Sequence, residues 1–388
     1  SRLLLVQLPL WHRRRESSFC YSTNQLCYNH LLPRFFLPFR THAMYYRVVK
    51  TAVWLTAFFA FGFPSKSRTR PPLIFAQAAI VDLSQDWVES PLYNKNRGYC
   101  SMQADVVPLG QTRTYLVLQN GQIVAEWYNQ EGDRTGYLPS RSLTKSWTTM
   151  LFGKLVELGK LATNETLADI FDVPKDWFHV QQADQKKTIT VQELLSMTSG
   201  LTPGIYQSNL APQETLQDVL NSADFNEDRR GTFWYLDQTN ILAQIMLRRS
   251  GLTLRQFAIQ TGIFPKLGIN DADYEWDTIG GIEGSAIGFR TNPRVHAKLG
   301  QLYLQRGLAA DAEGGSGQLI SQEWVEESTT DQLMDGDVNR VSLRGSLDGY
   351  GYQWVVNKDD YQGEFEGVVA SLGFLGQIIA YDPRTNIT

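Results

Sequence analysis

Hydrophobic residues recur at the spacing of an α-helix in the middle of the chain, most clearly across residues 147–161. The apolar positions of this segment are Trp147, Met150, Leu151, Leu155 and Leu158. Because this spacing places side chains on one face of a helix, the pattern predicts a helix. Phe152 and Val156 widen the apolar face, so we expect the helix to be mostly buried. Gly159 and Lys160 are expected to end it.

Apolar and polar residues form strand patterns before this helix and again near the end of the chain. Residues 114–118 and 122–128 are two such runs, and Asn120-Gly121 between them favours a tight hairpin turn. The later runs are residues 351–356, 365–370 and 377–381. Strands at both ends with helices between them predict an α/β (α+β) fold. We expect an antiparallel sheet built from both chain ends, flanked by helices, with an inserted mostly helical region.

The inserted region is predicted at residues 164–270 as a mainly helical subdomain. Thr190 and Glu193 form a capping-box pattern at the start of one of its helices. A second helix is expected at residues 241–249, before a stop at Ser250-Gly251. A further helix, at residues 294–306, is predicted after the subdomain.

Charge separates residues 1–79 from the rest of the chain. They hold 11 of the 36 Lys and Arg residues but one of the 40 Asp and Glu residues, Glu16, which leaves residues 80–388 with a net charge of −14. An acidic body argues against nucleic-acid binding. Hydrophobic residues make up 43% of the chain, enough for a large core. The sequence therefore predicts a leader at residues 1–79 and a folded domain at residues 80–388.

Within the leader, residues 44–78 have the pattern of a secretory signal. Arg47 and Lys50 precede an apolar run at residues 51–63, and Ala76-Gln77-Ala78 is typical of a cleavage site. The pattern predicts a secreted or periplasmic protein. The apolar run is shorter than the roughly 20 residues of a membrane span. The alternatives are an uncleaved membrane anchor and a disordered basic leader.

Cysteine and histidine residues show neither a disulfide framework nor a metal site. Of the three cysteines, Cys100 falls in the predicted domain, and the chain has no C-x-x-C pair. His179 and His296 are the histidines of that domain, and neither has a partner at ligand spacing. We therefore expect no metal and no cofactor.

One short motif indicates nucleophilic catalysis: Ser142 and Lys145 are three residues apart, just before the central helical pattern. On a helix this spacing places both side chains on the same face, one turn apart. A serine in the first turn lies near the positive end of the helix dipole. A lysine at that distance can take the serine proton, as in S-x-x-K acyl-enzymes. The alternative is an N-capping serine, Ser140 or Ser142, with a solvated lysine.

Five stretches occur in the order in which they occur in a known protein family, and together they extend this motif to a family resemblance. They are Ser142-x-x-Lys145-Ser146, residues 194–201, Tyr235-x-Asp237, residues 348–352 and residues 373–377. With them the chain resembles the serine β-lactamase-like and penicillin-binding-protein-like hydrolases. The resemblance is strongest to the branch of class C β-lactamases, carboxylesterases and 6-aminohexanoate-dimer hydrolases. It covers roughly residue 80 to the end of the chain and implies a β-lactamase/transpeptidase-like fold.

In that family a serine attacks a carbonyl carbon and forms an acyl-enzyme. The resemblance implies that Ser142 is the nucleophile and Lys145 its general-base partner. Tyr235 matches the tyrosine of the Y-x-N motif, which moves protons between nucleophile, leaving group and water. The alternative for Tyr235 is a core aromatic residue packed beside Phe233 and Trp234.

The resemblance also implies an oxyanion hole made by the backbone N–H groups of Ser142 and Phe374. Phe374 follows Gly373 in a G-x-x-G-Q stretch, and substrate is expected to approach the backbone closely at Gly373. The alternative for Gly373 and Gly376 is a simple strand bulge.

Two positions depart from the family pattern. The K-T-G motif, whose lysine helps to hold a substrate carboxylate, corresponds to Ser371-Leu372-Gly373, which carries no cation. This favours an ester or an uncharged amide over a β-lactam as substrate. Asp237 replaces the asparagine of Y-x-N. Its carboxylate would weaken Lys145 as a base by stabilising the charged amine, or would bind a cationic substrate group, or would point away.

The sequence therefore predicts a serine hydrolase that forms an acyl-enzyme on Ser142 and hydrolyses a small-molecule ester or amide. The alternative is a non-catalytic or acylation-only binding or sensor protein with the same fold. An α/β-hydrolase triad is disfavoured because the chain has no G-x-S-x-G motif and few histidines. We expect no nucleic-acid partner and membrane contact only through the leader, and the sequence predicts no oligomeric state.

The sequence also leads to an expectation about each end of the chain. Residues 1–43 precede a candidate start residue, Met44, and we expect them to lie upstream of the genuine start. The family continues beyond the position of Thr388 with another strand and a helix, so we expect the chain to be truncated at its C-terminus.

Overall fold

The computed structural model describes the predicted domain in seven ranges. They are residues 80–93, 112–203, 215–235, 240–310, 316–334, 349–357 and 367–388. All of them belong to one unit, which spans Leu37–Thr388. The predicted leader at residues 1–79, Cys100 and Asp237 lie outside the described residues. Within the seven ranges, no helix has both the length and the apolar character needed to cross a membrane.

Short strands and helices alternate along the described chain. The strands are β1 (Thr114–Gln119), β2 (Gln122–Tyr128), β3 (Leu138–Pro139), β4 (Ser199–Pro203), β5 (Ala223–Arg230), β6 (Tyr274–Trp276), β7 (Thr278–Ile279), β8 (Ile282–Glu283), β9 (Phe289–Thr291), β10 (Leu308–Ala310), β11 (Ser316–Gln318), β12 (Gly349–Tyr350), β13 (Val355–Val356), β14 (Val369–Leu372) and β15 (Ile378–Tyr381). The α-helices are α1 (Leu143–Glu157), α2 (Leu167–Ile170), α3 (Ala183–Lys186), α4 (Val191–Leu195), α5 (Leu216–Asn221), α6 (Asn240–Ser250), α7 (Leu254–Gln260), α8 (Ile263–Lys266), α9 (Pro293–Leu304) and α10 (Gln322–Ser328). Single 3-10 turns lie at Glu131–Asp133 and Lys175–Trp177.

Strands β1 and β2 form the predicted antiparallel hairpin. Asn120 and Gly121 connect them with φ angles of 53° and 72°. Positive φ at both central residues defines a type I′ turn, which asparagine and glycine adopt at little steric cost. The local Asn-Gly signal therefore predicted both the turn and the pairing.

Strands from both parts of the domain pair antiparallel, as predicted, and backbone hydrogen bonds join the hairpin β1–β2 to a separate sheet of C-terminal strands. Strands β12, β13, β14 and β15 pair antiparallel in that order. Beyond β15, the N–H of Asp382 donates to the carbonyl of Ile387 at 2.9 Å, which turns the chain back. Leu118 and Thr388 then exchange two backbone hydrogen bonds of 2.8 and 3.0 Å. The last residues of the chain thus join the C-terminal strands to β1.

The strand predicted at residues 351–356 is wrong in its first half, because only Val355–Val356 pairs in the sheet. Gln353 has a φ of 62°, and the N–H of Gly351 donates to the carbonyl of Trp354 at 2.8 Å. This turn removes the segment from the ladder. The strand predicted at residues 377–381 is confirmed as β15. The strand predicted at residues 365–370 overlaps β14 at residues 369 and 370, and residues 365 and 366 lie outside the described residues.

Helix α1 begins at Leu143, four residues before the predicted start. The first turn contains polar residues, so the hydrophobic pattern does not include it. These residues are nevertheless buried, and their side chains make hydrogen bonds. For example, Thr144 Oγ1 donates to the carbonyl of Arg141 at 2.7 Å. The helix ends in a Schellman motif, with Gly159 at a φ of 66° and the N–H of Lys160 on the carbonyl of Leu155 at 3.1 Å. As predicted, α1 is buried along most of its length.

Aromatic rings pack around α1 and fix its position in the core. The ring centroid of Trp147 lies 5.0 Å from that of Phe289 and 5.9 Å from that of Phe264. On another face, Gly153 admits the indole of Trp324, where a Cβ atom would approach within 2.2 Å of the ring. The helix that carries Lys145 is therefore held on more than one side.

The region at residues 164–270 holds the helices α2 to α8 and one unpredicted two-stranded sheet. Thr190 caps α4 in a complete capping box with Glu193, as predicted. The predicted helix at residues 241–249 is confirmed as α6. Strand β5, however, has the sequence ADFNEDRR, which is too polar to give a strand pattern. Its pairing with β4 adds a two-stranded sheet to a region that was predicted to be mainly helical.

Helix α9, predicted at residues 294–306, is joined to the N-terminal part of the domain by Arg294. Arg294 Nε donates to Glu126 Oε1 on β2 at 2.8 Å, and Arg294 Nη1 donates to Asp86 at 2.9 Å. Its backbone carbonyl accepts a 2.8 Å hydrogen bond from Trp87 Nε1. These contacts fix the helix that carries His296.

Candidate active site

Ser142 and Lys145 are in direct contact at the N-terminus of α1. Lys145 Nζ donates a hydrogen bond to Ser142 Oγ at 3.0 Å. Ser142 is 5% exposed and Lys145 is 1% exposed. Ser142 is the N-cap residue of α1, but its side chain makes no capping hydrogen bond. A capping serine with a solvated lysine therefore does not describe this pair.

A turn with a left-handed residue presents Ser142. Arg141 has a φ of 53°. Ser140, on its other side, is fixed by two backbone hydrogen bonds of 3.1 Å, one to the carbonyl of Phe289 and one from the N–H of Leu143. Because the flanking bonds hold the turn, Arg141 stays in a conformation that is uncommon for residues other than glycine.

Tyr235 lies beside Lys145. The centroid of its ring is 4.8 Å from Lys145 Nζ. The rings of Phe233 and Tyr350 lie 6.5 and 6.3 Å away, but Tyr235 is 37% exposed. The tyrosine is therefore not a buried core residue; it borders both Lys145 and solvent.

The loop that carries Tyr235 is anchored to the segment after α4. The N–H of Trp234 donates to the carbonyl of Met197 at 2.9 Å, and the N–H of Gly231 donates to the carbonyl of Thr198 at 2.8 Å. The stretch at residues 194–201 thus brings Tyr235 to the site. Asp237, two residues farther on, lies outside the described residues.

A segment that the sequence did not single out also reaches Lys145. The carbonyl oxygen of Ala286 lies 3.4 Å from Lys145 Nζ. The neighbouring carbonyl of Ser285 accepts a 2.8 Å hydrogen bond from Thr148 Oγ1, one turn along α1. Because no motif marks this segment, only the folded structure places it beside the lysine.

Gly373 brings the turn between β14 and β15 against the serine loop. A Cβ atom on Gly373 would lie 2.9 Å from the carbonyl oxygen of Ser140, so a larger residue would force the two segments apart. The N–H of Gly373 donates to the carbonyl of Gln377 at 2.8 Å, which closes the turn. The glycine stretch is therefore a tight connection and not a strand bulge. Phe374, the proposed second oxyanion donor, is on this turn.

Ser371, at the position of the family lysine, takes part in an internal hydrogen-bond network. Its Oγ lies 2.8 Å from Ser146 Oγ, which donates its own proton to the carbonyl of Gln353 at 2.7 Å. Ser146 Oγ is thus the hydrogen-bond partner of both Ser371 Oγ and the Gln353 carbonyl. Both serines are buried, so the side chain at this position joins α1 to β14.

His296, which is partly buried, contacts residues on either side of the Ser142–Lys145 pair along the chain. His296 Nε2 lies 2.9 Å from Ser140 Oγ, and Trp147 Nε1 donates to His296 Nδ1 at 3.2 Å. Burial lowers the pKa of His296 to about 3. The imidazole is therefore neutral, and sequence reasoning gave it no role. Among the described residues, no group of three His, Cys, Asp or Glu side chains could hold a metal ion.

Comparison with known proteins places this geometry in context. A family model described as "Beta-lactamase" matches residues 114–388. The 6-aminohexanoate-dimer hydrolase of Paenarthrobacter ureafaciens is 25% identical over 305 residues, which are 71% of this chain and 70% of the relative.

Solved structures show the same fold at lower identity. A proposed 6-aminohexanoate-dimer hydrolase from Bacillus anthracis is similar with a TM-score of 0.58 and 18% identity, over 84% of this chain and 91% of that one. A family VIII carboxylesterase is similar with a TM-score of 0.53 and 17% identity, over 77% of this chain and 90% of that one. These structures support the predicted fold.

Proposed function

The chain belongs to the β-lactamase family, and on that premise we propose that it is a serine hydrolase that forms an acyl-enzyme on Ser142. One observation carries the proposal: Lys145 Nζ and Ser142 Oγ are 3.0 Å apart in a buried site at a helix N-terminus. That distance permits direct proton transfer between a nucleophile and its base. The related dimer hydrolase and carboxylesterase support hydrolysis as the reaction class.

In the proposed first step, Lys145 in its neutral form accepts the hydroxyl proton of Ser142 while Oγ attacks the substrate carbonyl carbon. The carbonyl oxygen becomes negatively charged and is stabilised by the N–H groups of Ser142 and Phe374. Collapse of this tetrahedral species breaks the bond to the leaving group. The phenol of Tyr235 donates its proton to the leaving alkoxide or amine, which leaves a phenolate beside the protonated Lys145.

In the proposed second step, water attacks the acyl carbon on Ser142. The Tyr235 phenolate takes the water proton, and it is suited to this role because Tyr235 borders both solvent and Lys145, with 37% of the residue exposed. The second tetrahedral species then releases the acid while the protonated Lys145 returns its proton to Ser142 Oγ. Both steps use the same oxyanion donors, so the site needs no rearrangement between them.

We propose an ester or an uncharged amide as substrate, with a β-lactam less favoured. The position of the family lysine is Ser371, whose hydroxyl is buried against Ser146 and supplies no cation for a substrate carboxylate. We also propose secretion or export to the periplasm, directed by residues 44–78. That part of the proposal rests on the sequence pattern alone.

The proposal is tested by comparing hydrolysis of p-nitrophenyl butyrate and of the β-lactam nitrocefin by the full chain and by Ser142→Ala. We expect ester turnover by the wild type, little nitrocefin turnover and neither reaction by the variant. Acylation without turnover would instead favour the binding or sensor function. Rapid nitrocefin hydrolysis would contradict the proposed substrate class, and a folded but wholly unreactive wild type would contradict the enzyme.

A further inference from the structure

Four exposed side chains with large apolar surfaces lie on the segments that meet at the Ser142–Lys145 site, and we call them the apolar rim. They are Tyr235, Ile287, Phe374 and Leu375, which are 37%, 43%, 65% and 68% exposed. Exposed hydrophobic residues are common singly on protein surfaces. Several of them on segments that meet at one buried nucleophile suggest a binding site, because exposed apolar surface that is grouped commonly marks one.

Each segment that carries a rim residue makes a backbone or ring contact at the site. The Tyr235 ring lies over Lys145 Nζ. Ile287 directly follows Ala286, whose carbonyl contacts the same nitrogen. Phe374 and Leu375 directly follow Gly373, which fits tightly against the carbonyl of Ser140. Three separate segments that meet at this site therefore each carry exposed apolar surface.

Leu375 has a conformation and an exposure that stability does not explain. Its φ of 73° is in the left-handed region, where a branched side chain is strained and where asparagine or glycine is preferred. At 68% exposure the side chain adds little to the core. An unfavourable backbone that carries an exposed apolar side chain beside a nucleophile indicates a role in binding.

Because the rim is apolar and Ser371 supplies no cation, we propose that the apolar rim binds the acyl chain of an uncharged ester or amide. This deepens the proposed function and rests on it. The acyl chain is the relevant half of the substrate because its carbonyl oxygen would lie between the N–H groups of Ser142 and Phe374. The group attached to that carbonyl carbon would then lie beside the turn of Phe374 and Leu375 through both chemical steps.

The proposal predicts a dependence of kcat/KM on acyl length. Each buried methylene favours binding by about fourfold, so the wild type should prefer p-nitrophenyl hexanoate to butyrate, and butyrate to acetate. Phe374→Ala, which keeps its backbone N–H, and Leu375→Asn should reduce the increase to about twofold per methylene or less. Ile259→Ala, which changes an exposed side chain on α7, is the matched control and should keep the wild-type dependence.

Leu375→Asn distinguishes a role of this side chain in binding the acyl chain from a role in stability. Asparagine is similar in shape to leucine and tolerates a positive φ, so Tm should stay the same or rise while the length dependence falls. A chain-length dependence that survives in both rim variants would overturn the proposal. A flat series for the wild type would also overturn it, as would a dependence on the alcohol instead of the acyl half.

Failure of this inference differs from failure of the proposed function. Labelling of Ser142 by a small fluorophosphonate, absent in Ser142→Ala, tests the nucleophile without an acyl chain. If the wild type is labelled but shows no acyl-length preference, only the rim proposal is wrong. If the folded protein is neither labelled nor active on any ester, the proposed function is wrong and the rim proposal fails with it.

Discussion

His296 Nε2 lies 2.9 Å from Ser140 Oγ, two residues before Ser142. The other ring nitrogen accepts a hydrogen bond from Trp147 Nε1, which can only donate. Since a neutral imidazole has one donor, Nε2 carries the proton and donates it to Ser140. His296 therefore connects a residue before the Ser142–Lys145 pair with a residue after it, and it holds both from α9.

Replacing His296 by asparagine or by glutamine should distinguish the effects of its two hydrogen bonds. A glutamine amide nitrogen can take the place of Nε2 and keep the bond to Ser140, whereas asparagine reaches only the position of Nδ1. We expect His296→Gln to label at nearly the wild-type rate and His296→Asn to label about tenfold to 100-fold more slowly, since small displacements of a nucleophile are costly. The measurement is the rate of fluorophosphonate labelling, normalised to the folded fraction. If both variants lose labelling rate equally, and in proportion to their loss of Tm, His296 acts only through folding.

The same histidine should make stability depend on pH. Burial lowers the pKa of His296 to about 3 in the folded protein, while an unfolded histidine titrates near pH 6.5. Between these pH values the unfolded chain binds more protons than the folded protein. The contribution of His296 to the free energy of unfolding therefore falls by up to about 1.4 kcal/mol for each pH unit below about 6.5. Above that pH it is constant. Urea unfolding of wild type and His296→Gln across this range should show a shallower pH slope for the variant. The exposed His179, changed to Asn, serves as the control and should leave the slope unchanged.

Tyr235→Phe should lower turnover more than it lowers stability. The ring and its packing beside Lys145 are kept, but the hydroxyl that would move protons is lost. We expect kcat to fall by about 100-fold, within the usual range for general acid–base groups. Tyr137→Phe is the matched control, because Tyr137 is similarly exposed and donates its hydroxyl to the carbonyl of Ala272, away from the pair. Unchanged kcat in Tyr235→Phe would remove the tyrosine from the mechanism.

Gly373→Ala should disturb the contact between the terminal turn and the serine loop. The new Cβ would lie 2.9 Å from the carbonyl oxygen of Ser140, so one of the two segments must move. We expect kcat/KM to fall at least about tenfold, with a loss of stability of about 1–3 kcal/mol. Gly317→Ala is the control, because its Cβ would meet nothing within 4 Å. An active Gly373→Ala with wild-type kinetics would show that the turn does not position an oxyanion donor.

Short sequence patterns predicted those structural elements that are determined by residues close together in the chain. Asn120-Gly121 determined the hairpin through its positive φ angles, and Thr190 with Glu193 determined the start of α4. The three-residue spacing of Ser142 and Lys145 predicted their contact, because a helical turn brings such residues together.

Relationships that depend on tertiary packing were not predictable in this way. Ala286 and His296 reach the site from more than 100 residues away, through contacts that no short pattern records. Strand β5 is polar and forms because β4 pairs with it. Tyr235 was assigned from the order of family motifs, and the structure brings it to Lys145. Asp237 lies outside the described residues, so its three alternatives stay predictions.

The most direct test of the central claim is the site and rate of covalent labelling by a fluorophosphonate, mapped by peptide mass spectrometry. The account predicts a single adduct on the peptide that contains Ser142, none in Ser142→Ala, and labelling slowed about 1,000-fold in Lys145→Met, which fills the same space without a base. Circular dichroism should show that all three proteins are folded. Labelling of a different serine, or labelling of Lys145→Met at the wild-type rate, would contradict the assignment of Ser142 as nucleophile and Lys145 as its base.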